Sequence, residues 1–281
     1  MTFVKKGRPF VIAGPCVAES LDILEAVAAP LAALAKELDF DFVFKSSFDK
    51  ANRTAVDSYR GPGMDLALQW FEKIKKKHGL PILTDVHETG QCLPVAEVCD
   101  VLQIPAFLCR QTDLMIAATA TGRMVNVKKG QFMAPGSMAH VVEKGLAVCR
   151  EKGLPAQIAV TERGASFGYG NLVVDMRSFQ IMAAKGTPVI FDITHSTQLP
   201  PMGGDSGKTS GGDRHMAPLL ARAATATGYL SGFFLEVHPD PLKAKSDKEA
   251  QLSLTQAQTL LRQLIPLWRQ AQAFSAIDCQ F

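Results

Sequence analysis

The sequence lacks most of the features that are typical of proteins that bind nucleic acids or insert into membranes. Its formal net charge is only +3, and no basic run is longer than the three lysines at 75–77. Nucleic-acid binding requires a strong basic patch, so no nucleic-acid partner is expected. No apolar run is long enough to cross a bilayer, and residues 1–10 lack the apolar core of a signal peptide. The sequence therefore predicts a cytoplasmic protein that does not bind membranes.

The cysteines lack the spacing that is typical of paired thiols. The six cysteines, at 16, 92, 99, 109, 149 and 279, form no Cys-x-x-Cys pair. This pattern indicates reduced thiols rather than a disulfide framework. Glycine-rich dinucleotide motifs and Gly-x-Ser-x-Gly are absent, and residues 202–209 fail as a Walker A loop because Met202 replaces its first glycine. We interpret residues 199–213 as a glycine-rich loop that covers a site.

Eight short apolar strands alternate with eight helical segments along the 281 residues. The predicted strands are 10–14, 40–44, 81–87, 101–104, 124–127, 157–161, 188–192 and 232–236. Such alternation indicates parallel strands joined by crossover helices. Eight repeats at this length favour a single (β/α)8 TIM barrel of the α/β class over an open sheet. We expect one catalytic domain over residues 1–281.

Two prolines fall inside predicted helices. Pro30 lies in the apolar stripe of the first helix, for which Ser20 is the predicted N-cap. We expect a kink or a break there, because proline removes a helical hydrogen bond. The last helix contains Pro266 and should begin near Ser253 or Thr255, each followed three residues later by glutamine.

Polar residues gather at one end of the predicted strands. The strands end, in chain order, at Cys16, Lys45, Asp85 and His87, Gln103, Lys128, Arg163, His195 and Glu236. In a barrel these carboxyl ends converge on one mouth, where active sites are built. Randomly scattered polar residues would not fall at the same end of every strand. The pattern therefore predicts an enzyme.

The residues at 45–53 are the most strongly cationic of these strand ends. Lys45, Lys50 and Arg53 follow a buried strand with only Asp49 against them. Their charge-assisted hydrogen bonds favour an oxyanion site, phosphate above all, over a solvated loop. The cations expected at the mouth are Lys45, Lys50, Arg53, Arg110, Lys128 and Arg163. They exceed what one phosphate requires, so we expect two phosphorylated substrates, or a phosphate with a carboxylate. One or two of them should form structural ion pairs with Glu162, Asp85 or Asp113.

A second group of residues offers ligands for a metal. Cys16, His195, Glu236 and Asp247 supply thiolate, imidazole and carboxylate donors that suit Zn²⁺ or Fe²⁺, with Mn²⁺ or Co²⁺ also compatible. Three of the four come from strands 7, 8 and 1, which are neighbours in a closed barrel. Their spacing alone leaves a second interpretation open, in which Cys16 is an inert packing residue and His195 an acid–base group. His238 is a rival donor with at most a supporting role.

Four long motifs resemble those of 3-deoxy-D-manno-octulosonate 8-phosphate synthases. They are the segments 44–53, 103–113 and 126–132, and Thr194-His195-Ser196 with the nearby Gln198-Leu199-Pro200. The similarity runs from about residue 8 to the final helix. The resemblance implies condensation of phosphoenolpyruvate with D-arabinose 5-phosphate and water, with release of phosphate, in lipopolysaccharide biosynthesis. It also implies a TIM barrel that assembles as a homotetramer.

The resemblance also implies roles for individual residues. Lys128 and Arg163 would hold the phosphoenolpyruvate phosphate, with Lys45 beside the reacting end and Asp85 orienting water or the aldehyde. The remaining substrate-binding residues implied are Lys50, Asn52, Arg53, Gln103, Ser210 and, from a neighbouring subunit, Arg110. Cys16 after the first strand resembles the metal-dependent class, which has cysteine where metal-independent members have asparagine. Ala55 departs from the hydroxyl residue found in many relatives.

Two other interpretations of the function differ in their predictions. A 3-deoxy-D-arabino-heptulosonate 7-phosphate synthase would use erythrose 4-phosphate, and its acceptor loop resembles Lys-Pro-Arg-Thr. Here the loop is Lys50-Ala51-Asn52-Arg53. A non-catalytic sugar-phosphate-binding barrel would lack the metal-handling residues, yet all four are present. Both alternatives are therefore disfavoured.

Overall fold

The barrel predicted from the sequence is confirmed. The computed structural model describes residues 4–5, 7–53, 56–199 and 211–274. Eight parallel strands pair in chain order, and the first also pairs with the last, which closes the sheet. The strands are β1 Phe10–Gly14, β2 Asp41–Lys45, β3 Ile82–Asp85, β4 Val101–Ile104, β5 Met124–Lys128, β6 Ile158–Glu162, β7 Val189–Asp192 and β8 Gly232–His238.

In the described part of the chain, eight α-helices surround these strands. They are α1 Leu21–Leu38, α2 Met64–His78, α3 Cys92–Val98, α4 Thr112–Ala120, α5 Met138–Lys152, α6 Arg177–Ala183, α7 Ala217–Ala226 and α8 Leu254–Gln272. Within the described residues, none of the helices is both long and apolar enough to cross a membrane. The expectation of one domain over residues 1–281 stays a prediction.

Alternate strand residues divide the core into two layers. Phe10 and Ile12 of β1 pack inside the barrel with residues such as Phe234, whereas Val11 and Ala13 pack outward in the larger cluster that includes the helices. This two-residue alternation is the one expected of a strand buried on both faces. Because side chains fill the barrel interior, substrates must bind at an end of the strands.

Local signals define the ends of several helices. The Ser20 side chain accepts a hydrogen bond from the Ile23 amide at the start of α1, as predicted. At α8, Ser253 and Gln256 form a reciprocal capping box, so the predicted start at Ser253 is confirmed and the alternative at Thr255 is wrong.

Of the kink or break expected at Pro30, the break is wrong and the kink stays a prediction. Helix α1 continues through this half-buried proline from Leu21 to Leu38. Its buried stripe includes Leu24, Val27 and Leu31, on both sides of the proline. Packing of this apolar face against the barrel stabilises the helix more than the missing hydrogen bond weakens it.

The sequence did not predict two short pairings near the mouth. Gln198–Leu199 pairs antiparallel with Gly211–Gly212, and Leu252–Ser253 adds to the end of β8. Both involve two-residue segments, which are too short for a periodic pattern. The first pairing joins the two ends of the glycine-rich loop, of which residues 200–210 lie outside the described part.

Candidate active site

The carboxyl ends of the strands open into a cavity of about 810 Å³. The predicted site residues that line it are Lys45, Lys50, Asn52, Arg53, Asp85, His87, Gln103, Lys128, Arg163, His195, Glu236 and Asp247. Arg110 is exposed and does not line the cavity of its own chain. Ser210 and Ala55 lie outside the described residues. The barrel therefore brings most of the predicted residues to one place.

Glycine at the end of β1 allows the first two strand ends to approach closely. A Cβ atom at Gly14 would lie 2.0 Å from the carbonyl oxygen of Lys45, so no larger residue fits there. Beyond this glycine, the Cys16 carbonyl accepts a hydrogen bond from Lys45 Nζ at 2.9 Å. The close approach thus holds Lys45 next to the residue that carries the candidate thiolate.

The four predicted metal ligands converge. Ligand atoms of Cys16, His195, Glu236 and Asp247 all lie within 4.8 Å of one another. The Cys16 thiol donates to Asp247 Oδ2 at 3.1 Å, and His195 Nε2 lies 3.2 Å from Glu236 Oε2. The last oxygen is buried and has no hydrogen-bond partner among the described residues. A thiolate, an imidazole and two carboxylates this close fit a divalent metal such as Zn²⁺ or Fe²⁺.

Asp192 orients the imidazole of this group. His195 Nδ1 lies 2.7 Å from Asp192 Oδ2, and the His195 amide donates to Oδ1 of the same carboxylate at 2.9 Å. When a carboxylate accepts a hydrogen bond from Nδ1–H, the lone pair of Nε2 is free to bind a metal ion. This is the usual arrangement of a metal-binding histidine. An acid–base histidine is oriented in the same way, so the convergence of Cys16, Glu236 and Asp247 on His195 is what favours the metal-ligand interpretation.

Charges in the site set the protonation of the candidate ligands. Burial opposes ionisation of Glu236, but His195, Lys45 and Lys50 outweigh it and hold the pKa of that carboxyl well below its ordinary value. Burial, with Glu236 next, raises the pKa of the Cys16 thiol well above its ordinary value. Because a positive metal ion lowers the cost of a thiolate, metal binding and loss of the Cys16 proton are coupled.

Two of the cavity cations form ion pairs with carboxylates, and a third forms none among the described residues. Lys45 Nζ pairs with Glu236 Oε1 at 2.6 Å, and Lys128 Nζ pairs with Asp192 and lies 3.5 Å from the centre of the Phe234 ring. Arg163 is 5% exposed but forms no ion pair among the described residues. Its Nη2 donates to Gln198, and its Nη1 has no partner there. A buried guanidinium with a free donor is suited to bind an anion.

Mouth cations do form ion pairs, but the partners expected for them are wrong. Within the described residues, Glu162 pairs with Lys129, Asp85 accepts hydrogen bonds from Ser47 and Gln103, and Asp113 forms no ion pair. The mouth cations pair instead with Glu236 and Asp192. Both partners lie at strand ends, and their inward direction depends on strand register.

A ladder of polar side chains crosses four adjacent strands. Gln103 donates to Asp85, Asn126 donates to Gln103 at 2.8 Å, and Thr161 donates to Asn126 at 2.7 Å. Burial opposes ionisation of Asp85, but Lys45 and Lys50 outweigh it and hold the pKa of that carboxyl well below its ordinary value. The ladder fixes an ionised Asp85 facing the cavity.

Asn52 and Arg53 follow β2, which lies across the closed eight-stranded sheet from β6 and the Arg163 that follows it. Asn52 is exposed, and Arg53 is half-buried with Nε donating to the Tyr59 carbonyl at 3.1 Å and Nη2 to the Lys245 carbonyl at 3.2 Å. This second contact links Arg53 to the loop that carries Asp247. A ligand between Arg53 and Arg163 would contact cations at both ends.

Sequence reasoning missed Asp192 as a site residue. It is fully buried at the end of β7 and contacts both Lys128 and His195. The rule that identified the other strand ends could have identified it, since it is the last residue of a predicted strand. The prediction took His195 as the polar group at this strand end and omitted the carboxylate that orients it.

Comparison with known proteins agrees with this geometry. The model of the DAHP synthetase I family matches residues 4–273. Three relatives named 2-dehydro-3-deoxyphosphooctonate aldolase come from Nitratidesulfovibrio vulgaris strain Hildenborough, Polaromonas naphthalenivorans and Cyanothece sp. PCC 7425. They are 52%, 52% and 51% identical to the chain, covering 93%, 92% and 93% of it and 92%, 90% and 93% of their own lengths. Their name is a synonym of 3-deoxy-D-manno-octulosonate 8-phosphate synthase, so the predicted resemblance is confirmed. With nearly its whole length matched, the chain belongs to the DAHP synthetase I family.

Proposed function

We propose that the chain condenses phosphoenolpyruvate with D-arabinose 5-phosphate and water to give 3-deoxy-D-manno-octulosonate 8-phosphate and inorganic phosphate, in lipopolysaccharide biosynthesis. The observation that carries the proposal is one cavity lined by cations that follow β2 on one side and by Lys128 and Arg163 at the ends of β5 and β6 on the other, with the metal donors at β7, β8 and β1, the strands between them. Two phosphorylated substrates require two anion sites, and a carbon–carbon bond must form between them. The names of the relatives support the same reaction.

The phosphoenolpyruvate phosphate is assigned to Lys128 and Arg163. Burial lowers the pKa of Lys128, with Asp192 and Glu236 opposing that effect, so an anion in the cavity also favours its charged form. The unpartnered Nη1 of Arg163 offers a further donor. These cations would neutralise the charge that develops on the departing phosphate. Lys45, between Cys16 and Glu236, lies where the reacting carbons would meet.

The sugar phosphate is assigned to the residues that follow β2. Lys50, Asn52 and Arg53 line that side of the cavity, and Ser210 is proposed to add a hydroxyl. Gln103 and the ionised Asp85, which are hydrogen-bonded to each other, are proposed to orient the aldehyde or the attacking water. Arg110 is proposed to reach the sugar phosphate of a neighbouring subunit in a homotetramer. We place the reaction in the cytoplasm, in keeping with five buried cysteines that form no disulfide.

We propose that the enzyme depends on a divalent metal held by Cys16, His195, Glu236 and Asp247. Bound there, Zn²⁺, Fe²⁺, Mn²⁺ or Co²⁺ would supply Lewis-acid polarisation of the aldehyde or a bound water. Asp192 holds the ring of His195 in place, and Glu236 keeps its negative charge between His195 and Lys45.

The choice of sugar tests the proposed function. The purified protein should release phosphate from phosphoenolpyruvate with D-arabinose 5-phosphate, and slowly or not at all with erythrose 4-phosphate. The reason is that the loop Lys50-Ala51-Asn52-Arg53 differs from the Lys-Pro-Arg-Thr loop of the heptulosonate synthases. Faster turnover of the four-carbon sugar would favour the heptulosonate synthase instead. Absence of phosphate release with either sugar, in metal-loaded protein, would favour a binding protein.

A further inference from the structure

A buried ion pair lies directly behind the two cations assigned to the phosphate. Lys129 and Glu162 are 2% and 1% exposed, and Lys129 Nζ lies 3.4 Å from Glu162 Oε1. Lys129 follows Lys128 in sequence, and Glu162 precedes Arg163. Successive residues of a strand point to opposite faces, which explains why Lys128 and Arg163 line the large cavity whereas Lys129 and Glu162 line a separate one of about 300 Å³.

The pair holds the backbone that leaves β6 from both sides. Glu162 Oε1 accepts hydrogen bonds from the amides of Arg163 at 3.0 Å and Gly164 at 2.6 Å. Lys129 Nζ donates to the carbonyls of Gly164 and Gly130, each at 3.3 Å. The Lys129 amide also donates to the Thr161 carbonyl at 2.8 Å. The ends of β5 and β6 are therefore joined through side chains as well as through the sheet.

Arg163 depends on its backbone for direction. Its guanidinium donates to one side chain, Gln198, and forms no ion pair with another described residue. The chain turns sharply directly after it, since Gly164 has a φ of +90° and a Cβ there would lie 3.0 Å from Leu172 Cβ. A small rotation at this turn would move the guanidinium, and the groups that fix the turn are the carboxylate of Glu162 and the ammonium of Lys129.

We propose that Lys129 and Glu162 are positioning residues that set the phosphate-binding geometry of Lys128 and Arg163 without touching substrate. The inference rests on the proposed function, because it takes phosphoenolpyruvate as the ligand of these two cations. A buried pair with a purely structural role would contribute to stability alone. A positioning pair changes the use of one substrate more than that of the other.

The test compares Glu162→Gln with the wild type. The amide keeps the shape and one oxygen acceptor but loses the charge that binds two amides and the Lys129 ammonium. We expect kcat/KM for phosphoenolpyruvate to fall by about tenfold, the effect of one charge-assisted hydrogen bond, with the KM for the sugar changed by less than about threefold. Lys129→Met should show the same selective loss. The double variant should lose little more than the worse single one, because both residues act through one turn.

Asp100→Asn is the matched control. Asp100 also pairs with a lysine, Lys75, at 2.7 Å, and accepts a backbone amide, that of Ile82 at 3.0 Å, but it lies at the opposite ends of the strands. It should lower the melting temperature while leaving both KM values unchanged. If Glu162→Gln behaved in the same way, the pair would be structural only and the inference would be wrong.

Should Glu162→Gln not fold, Glu162→Asp replaces it in the test. This variant keeps the charge but shortens the side chain, and the same criterion applies to it. A wild type that does not turn over phosphoenolpyruvate would refute the proposed function instead.

Discussion

At the scale of single residues, Lys128 and Arg163 differ in what compensates their charge. Lys128 is paired with the fully buried Asp192, whereas Arg163 has no acidic partner among the described residues. Arg163→Ala should therefore lower kcat/KM for phosphoenolpyruvate by a factor equivalent to about 1.5–3 kcal/mol of transition-state stabilisation, with little loss of folding stability. Lys128→Ala should also destabilise the fold, but by less than the cost of about 3–5 kcal/mol for a fully unpaired buried charge, because Asp192 keeps its contacts with His195. Steady-state kinetics and denaturant unfolding of both variants measure the difference. Unchanged use of phosphoenolpyruvate by Arg163→Ala would refute the phosphate assignment.

Cys16 separates the two interpretations that the sequence left open. Cys16→Ala should lower metal content and turnover together if the thiolate is a ligand, and should cost only a modest amount of stability if it is a packing residue. Cys92→Ala is the control, since Cys92 is also buried and burial alone raises the pKa of its thiol to about 11. It should keep both metal and activity. Cys16→Asn is informative too, because a chelator should no longer affect any activity it retains.

Removal of the metal from the wild type gives the same test without a mutation. Prolonged treatment with EDTA or dipicolinate should abolish turnover, and Mn²⁺, Fe²⁺, Co²⁺ or Zn²⁺ should restore it. Full activity in protein shown by elemental analysis to contain no metal would contradict the metal site.

Individual residues also show what the sequence can predict. Cys16, His195 and Glu236 were predicted to converge because each lies at or just beyond a strand end, and barrel topology alone brings strand ends together. Asp192 is also the last residue of a predicted strand, so its place at the mouth was predictable, whereas its contacts with Lys128 and His195 were not, because they depend on which way a buried side chain points. Direction depends on register and pleat, which become known only when strands pair.

At the scale of secondary structure, the helices that continue through proline are the clearest departure from local sequence preference. The eight strands were predictable because each is a short apolar run, and the longer helices because their apolar residues recur at helical spacing. Helix α1 was expected to kink or break because the local cost of Pro30 was weighed without the packing of its buried stripe. Two-residue pairings such as 198–199 with 211–212 were missed because they depend on tertiary contacts.

Replacement of the proline inside α1 should therefore stabilise the folded protein. Pro30→Ala should restore a helical hydrogen bond and raise the free energy of unfolding by about 1–3 kcal/mol, reduced by the greater freedom of the unfolded chain. Pro266→Ala, at an exposed position of α8, repeats the test at a second site. Neither residue lines the cavity, so both KM values should stay unchanged. A lower melting temperature in both variants would show that the helices have adapted to proline.

At the scale of the whole molecule, the proposed homotetramer makes a prediction about mixed subunits. Arg110 is exposed and does not line its own cavity, so its proposed role requires a neighbour. Arg110→Ala and Arg163→Ala chains should each be nearly inactive alone. In tetramers refolded from an equal mixture, a site with an intact Arg163 can receive Arg110 from the other variant.

Mixing should therefore restore activity. Half of the sites keep Arg163, and about half of those face a chain with Arg110, so recovery should approach about a quarter of the wild-type value. Mixing Lys128→Ala with Arg163→Ala is the control. Each wild-type Lys128 then shares its cavity with a mutated Arg163, and each wild-type Arg163 with a mutated Lys128, so no complete site can form. Recovery in the first mixture but not in the second would support the shared site. No recovery in the first, with tetramers confirmed by light scattering, would mean that Arg110 does not act across the interface.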